Sequence, residues 1–233
     1  LSGTLNTTDM QTLRIMLKPM VSCAITNAEG NQTLESEAYL NLCYLNMKDC
    51  QLAAGGEKYA EKSIAGPEDT YESKYQELSD HAFDITRTGL QSIVLPSQLL
   101  SIGSCAFNMC QNLTKIEIPA SVTHIGDYAF FSCEKLMEIH IPDDSQLKEL
   151  GKSALSTGSD LKTISFPTSL QVKENFGILG NVSAQNIHVK WITPPILTRF
   201  GVNKNTILYV PRGSAEAYHN AFGWNRAKEI VEE

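Results

Sequence analysis

Apolar and polar residues alternate in short bursts that return at a fixed interval. Leu90, Ile93 and Leu95 are followed by Leu113, Ile116 and Ile118, and then by Leu136, Ile139 and Ile141, each set 23 residues after the last. A fourth set, Leu161, Ile164 and Phe166, comes 25 residues further on, with Asp143 and Asp144 in the lengthened turn. Between the apolar positions stand polar ones, such as Lys115 and Glu117. This alternation of period two predicts strands with one buried and one exposed face. Pro96, Pro119, Pro142 and Pro167 close the bursts. Proline has no N–H to give to a ladder, so it marks where the chain leaves the sheet.

The second half of each unit repeats as well. Ile102-Gly103, Ala106-Phe107 and Cys110 return as Ile125-Gly126, Ala129-Phe130 and Cys133, and degenerately as Leu150-Gly151, Ala154-Leu155 and Gly158. The pattern predicts a second extended piece ending at Ile125, a tight turn allowed by Gly126, and a helical or 3₁₀ turn at 128–130 that sends Phe130 inward. An L-x-x-L-x-L core at this period is the signature of a leucine-rich-repeat solenoid. The expected fold is a right-handed β/α superhelix with a parallel sheet of about six strands, at residues 42–47, 92–95, 115–118, 138–141, 163–166 and near 187–189. A single unit cannot bury its apolar face alone, so the units must stack.

One domain spanning 1–233 accommodates this reading, with a helical cap at each end. Residues 1–41 form the N-terminal cap: Thr8 and Gln11 make a capping box, Met10, Leu13, Met16 and Leu17 share a helix face, and Pro19 stops the run. Residues 42–89 are the first repeat. Leu42, Leu45, Met47, Cys50 and Leu52 fit its strand, but its second half appears only at Leu78, Ala82 and Phe83, leaving 53–77 as an insertion. That insertion holds Tyr59, Tyr71 and Tyr75, and a loop this long is usually functional or disordered. Residues 90–195 are regular and then degenerate repeats, with stacking expected to end near Trp191. Residues 196–233 form the C-terminal cap, with a strand at 206–210, Ser214 capping a helix at 215–221, and Trp224 and Ile230 folding over the last repeat.

Charge and chemistry narrow the function classes. The chain of 233 residues carries a net charge of −7 and no Lys/Arg cluster interleaved with aromatics, so nucleic acid is not an expected partner. No run of about 18 apolar residues exists to form a transmembrane segment. Residue 1 is Leu rather than Met, which fits removal of a leader. Cys110 and Cys133 hold equivalent places in successive units, where parallel Cβ vectors suit buried free thiols better than a disulfide. Cys105 and Cys110 match zinc spacing poorly, and no metal or cofactor is expected. Asp143-Asp144 reads as a hydrated turn. His81, His124, His140, His188 and His219 are scattered, and no hydrolase, nucleotide-binding or zinc-protease motif is present.

The unit LTKIEIPASVTHIGDYAFFSC, residues 113–133, resembles the repeat of BspA-like leucine-rich-repeat proteins, and ILYVPRGSAEAYHNAFGW, residues 207–224, is similar to the tail that often ends such arrays. The resemblance implies a bacterial, secreted or cell-surface protein of a family linked to adhesion, with no catalytic residues to carry over. It covers residues 78–233 well and the opening repeat more loosely. Leu155 and Gly158 depart from the Phe and Cys of the pattern, and residues 168–186 keep little of it.

Together these readings predict a non-catalytic binding protein, extracellular or on the outer cell surface, that recognises a protein or glycan, with host extracellular matrix among the candidates. The alternative is a structural spacer of a larger surface assembly. Strand alternation selects the exposed sheet face as the site: Tyr44, Asn46, Ser92, Lys115, Glu117, Glu138, His140, Thr163, Ser165 and His188.

Overall fold

A computed structural model describes residues 2–5, 25–26, 32–33, 44–52, 55–61, 69–73, 75–84, 90–158, 161–172, 182–197 and 202–233. The helix expected at the start of the N-terminal cap lies outside the described residues.

The apolar bursts form strands that stack in parallel, one per coil. The largest sheet runs, from one edge to the other, Tyr44–Asn46, Ser92–Val94, Lys115–Glu117, Glu138–His140, Leu161–Phe166, Ala184–Val189, Ile207–Val210 and Glu229–Glu232. The register is the one the spacing demands. Leu45 faces Ile93, Ile93 faces Ile116, Ile116 faces Ile139, and Ile164 faces Ile187. All are buried, so one apolar column runs the length of the array.

A second parallel sheet of four short strands, Glu77–Leu78, Ser101–Ile102, His124–Ile125 and Glu149–Leu150, forms another face of the coil. Its inward residues Leu78, Ile102, Ile125 and Leu150 are buried. The rings of Phe83, Phe107 and Phe130 stack behind it at centroid spacings of 5.3 and 5.2 Å, and buried Leu155 continues the column.

The turns after this second sheet are not helical. Their backbone alternates in conformation, with His81, Cys105, Tyr128 and Ser153 at φ between 51° and 56°. As a result alternate N–H groups point along the array. Cys105 donates to the Asp127 carbonyl and Phe107 to that of Ala129, while Ala106 and Asn108 bond back to Gly103 and Cys105 within their own coil. A 3₁₀ turn would leave the inter-coil bonds unmade. The alternating form satisfies both sets, as buried backbone requires.

The recurring glycine also has a different reason from the one expected. Gly103 and Gly126 do not sit at positive φ. A Cβ on Gly103 would lie 2.5 Å from the Asp80 nitrogen, and one on Gly126 2.5 Å from the Ser104 nitrogen. Glycine is there because successive coils touch backbone to backbone. After Glu77–Leu78, the edge strand of the four-stranded sheet among the described residues, the same position is Ser79.

Three further features fill in or correct the sequence reading. The insertion after Leu52 carries an antiparallel hairpin, Gly55–Glu61 with Asp69–Ser73, in which Tyr59 pairs with Tyr71. Its base is closed where the Gln76 N–H donates to the Leu52 carbonyl at 2.8 Å, and the Leu52 N–H donates to Gln76 Oε1 at 3.4 Å. Stacking does not end at Trp191, because Ile207–Val210 and Glu229–Glu232 add two more parallel strands. The sheet therefore has eight strands among the described residues rather than about six. Finally, Ser214 does not cap the helix Ala215–Asn220 with its side chain. Its hydroxyl donates to the Pro211 carbonyl, and the Glu232 carboxylate accepts from the Ala215 N–H at 2.9 Å. The anion at the helix start comes from the last strand, which ties the C-terminus down.

The closing segment seals its end of the core with aromatics. Tyr218 and Trp224 are buried and meet edge to face at 5.3 Å. The Tyr218 hydroxyl donates to the Trp191 carbonyl and the Trp224 indole N–H to that of Pro195, each at 2.8 Å. Burial pushes the Tyr218 phenol up, so it remains a donor, and Ser2–Leu5 pairs in parallel with Asp49–Leu52 towards the other end of the array.

Candidate functional site: the exposed face of the eight-stranded sheet

Alternation puts two rows of side chains on the solvent face of the large sheet. One row runs Tyr44, Ser92, Lys115, Glu138, Thr163 and Asn186, and continues to Ile207 and Glu229. The other contains Asn46, Val94, Glu117, His140, Ser165, His188, Tyr209 and Val231. All ten residues selected from the sequence stand in these rows. Tyr44, Asn46, Lys115, Glu117, Glu138, His140 and Thr163 are exposed, and Ser92, Ser165 and His188 half-buried.

Sequence reasoning missed Val94, Asn186, Ile207, Tyr209, Glu229 and Val231. The signal for Val94 and Asn186 was the same alternation. The others belong to strands that were assigned to a cap rather than to the sheet.

A shallow depression of about 720 Å³ lies over the second to fourth strands, lined by Ser92, Val94, Lys115, Glu117, Glu138 and His140, with Lys48 at its edge. Its charges are mixed. Lys115 stands opposite Glu138 and Glu117 opposite His140, and Glu138 also accepts from Lys162 at 3.1 Å. That pair is more than half exposed on both sides, so it orders the surface more than it stabilises the fold.

Aromatic side chains stand at both ends of the face. Tyr44 is 69% exposed, with its hydroxyl held by Gln91 Oε1 at 3.1 Å. At the other end the His188 ring lies flat on Tyr209 at 4.3 Å, with the planes 5° apart. His188 Nδ1 lies 3.0 Å from Glu233 Oε1. Five strand spacings of about 4.8 Å separate Tyr44 from His188, roughly 24 Å along the array.

The two repeated cysteines are core residues instead. Cys110 and Cys133 are fully buried, and their thiols donate to the Phe83 and Phe107 carbonyls at 3.4 and 3.1 Å. Burial, with a smaller contribution from Cys110, pushes the Cys133 thiol well up. Among the described residues no helix is long and apolar enough to cross a membrane.

Comparison with known proteins supports the repeat reading. A leucine-rich repeat protein from Bacteroides ovatus is 22% identical, with a TM-score of 0.44 over 66% of this chain and 39% of that one. The pneumococcal vaccine antigen PcpA is likewise 22% identical, with a TM-score of 0.49 over 68% of this chain and 39% of its own. The chain thus spans well under half the length of these two structures. A search of curated proteins finds no match. The family description "BspA type Leucine rich repeat region" matches residues 73–190 in six copies, a span that takes in the whole run of stacked strands from Glu77 to Val189. The chain therefore belongs to the BspA-type leucine-rich-repeat family.

Proposed function

We propose that this chain is a non-catalytic recognition module, secreted or displayed at the cell surface, that binds a polar protein or glycan partner across the exposed face of the eight-stranded sheet. The observation that carries this reading is the pair of aromatic anchors. Tyr44 at one end and the His188–Tyr209 stack at the other bracket a depression lined by side chains of both charges. Ordered aromatics offer large contact area at low entropic cost, and a mixed-charge floor selects a polar partner over lipid or nucleic acid. Extended sheet faces are what solenoids present for recognition. A spacer needs neither feature.

Binding of the purified chain to immobilised extracellular-matrix proteins and to a glycan array tests this. For any ligand so found, Lys115→Glu with Glu138→Lys, and separately Tyr209→Ala, should weaken affinity at least about tenfold without lowering the melting temperature. A ligand that binds every variant as tightly as the parent chain would move the site to the 53–77 insertion. Absence of any ligand in both screens would leave the spacer reading.

A further inference from the structure

A second constellation lies away from the sheet face, on the ladder of turns that follows the four-stranded sheet. Stacking sets His81 of one coil against Cys105 of the next, 24 residues on, and Asp84 against Asn108 at the same offset. Each coil thus offers two side chains three residues apart, and the coil repeat brings the four together. A ring nitrogen of His81, a carboxylate oxygen of Asp84 and the sulfur of Cys105 all lie within 4.8 Å of one another. In a tetrahedral zinc site, with metal–ligand bonds of about 2.0–2.3 Å, ligand atoms stand about 3.3–3.8 Å apart. The cluster is of that order but not yet of that shape: its widest spacing must contract and the direct His81–Asp84 contact must open for an ion to sit between the three side chains.

The surroundings are those of a built site. Asp84 is 2% exposed, and its two oxygens are already aimed: one contacts His81 Nδ1 and the other accepts from Asn108 Nδ2 at 2.8 Å. The two carboxylates nearby in the ladder are otherwise employed. Asp80 accepts from the Ser104 N–H and Asp127 from the Lys152 N–H, at 2.6 and 2.7 Å. They set the local field without competing as ligands. The oxygen of the Asn108 amide is a buried acceptor with no donor among the described residues. Such atoms are rare and call for an explanation. A water on the fourth position of a three-ligand metal would be a strong donor at this place. The next coils hold Tyr128 and Phe131, then Ser153 and Ser156, at the equivalent positions, so the constellation is confined to one junction of the array.

We propose that His81, Asp84 and Cys105 bind a borderline-soft divalent cation of the zinc type, with Asn108 orienting Asp84 and accepting from a water on the metal. Imidazole, thiolate and a single carboxylate select Zn²⁺ or Co²⁺ over Ca²⁺ and Mg²⁺, which need several oxygens. On coordination the Cys105 proton passes to solvent, and sulfur, nitrogen and oxygen each give one bond to the metal. Because the ligands come from two successive coils, the metal would pin the first regular coil to the one carrying the insertion.

The test is a Co²⁺ titration of the whole chelator-treated chain. The expected result is one equivalent bound, with a thiolate-to-cobalt charge-transfer band in the near ultraviolet and tetrahedral bands in the visible, all removed by added Zn²⁺. Cys105→Ser should abolish the charge-transfer band, and His81→Ser should weaken binding at least about tenfold. Serine is acceptable in this backbone conformation, since Ser153 holds it at the equivalent place. A measurement that needs no variant is alkylation of the native protein, in which Zn²⁺ should protect Cys105. No band at saturating Co²⁺ together with no protection of Cys105 would overturn the proposal. So would an undiminished band in Cys105→Ser, which would place the metal on other thiols.

Discussion

The ring of Phe107 lies against that of Phe130 with centroids 5.2 Å apart and planes 4° from parallel. The two residues are 23 positions apart in the chain, so this contact is the repeat expressed in three dimensions. Phe130→Ala empties a fully buried site in the middle of the column and should cost about 3–5 kcal/mol in denaturant unfolding. Its neighbour Phe131 is 37% exposed, and Phe131→Ala should cost clearly less. A loss below about 1 kcal/mol for Phe130→Ala would mean that the coil register is wrong.

Close approach of coils predicts an ordering among glycines. Gly126→Ala places a carbon against the Ser104 backbone, which has no side-chain freedom to yield, and should cost about 3 kcal/mol or more. Gly213 has positive φ but nothing within 4 Å of a Cβ, so Gly213→Ala should cost about 1–2 kcal/mol from conformation alone. Urea unfolding of the two variants compares them directly. The reverse order would show that turn conformation, and not contact between coils, is what selects glycine in the repeat.

Glu232 gives the C-terminal segment a pH dependence. The N–H groups of Ala215 and Gly213 hold its carboxyl below the usual glutamate range, with smaller contributions from Arg212 and then the Ser214 N–H. A carboxyl whose folded value is depressed adds stability that is full above its unfolded value, about 4.3, and is lost as pH falls through the folded value. Glu232→Gln should therefore melt below the parent chain at pH 7, and the two should converge as pH drops below about 4. A gap that stays constant down to pH 3 would show that the carboxylate's charge is not what holds the helix start.

The buried thiols should be chemically silent. Cys110 and Cys133 should resist alkylation in the native protein and both become modified once it is denatured without reductant, since each donates to a carbonyl inside the core. Mass spectrometry reads this directly, and recovery of a peptide linking the two cysteines would refute it.

The strands of the large sheet up to Val189 were legible in the sequence because each lies in a short burst whose inward residues are Leu, Ile, Phe or Val at period two. The same rule put the ten selected residues on the exposed face, and applied further it would also have given Val94 and Asn186. The turns were not legible. Tyr128-Ala129-Phe130 has no glycine to announce positive φ, yet the ladder between coils imposes it on Tyr128. The strand at 206–210 was read but not its place in the sheet, and Glu229–Glu232 was not read as a strand, for another reason. Ile187 faces Leu208, and Leu208 faces Ile230, so these coils shorten to 21 and 22 residues. One of them replaces the Ile-Gly and Ala-Phe half of the unit with the helix Ala215–Asn220. The cluster of His81, Asp84 and Cys105 escaped because its members are neighbours only across a coil, and metal motifs are read along the chain.

The reciprocal bonds between Leu52 and Gln76 have a consequence for how such arrays change over time. The chain departs and returns at two hydrogen-bonded residues, so the coil is continuous whatever lies between them. A segment attached this way can lengthen, shrink or be exchanged without shifting the phase of a single downstream strand. That makes the junction a natural grafting point, where new sequence can be tried at the surface while the framework keeps its pitch.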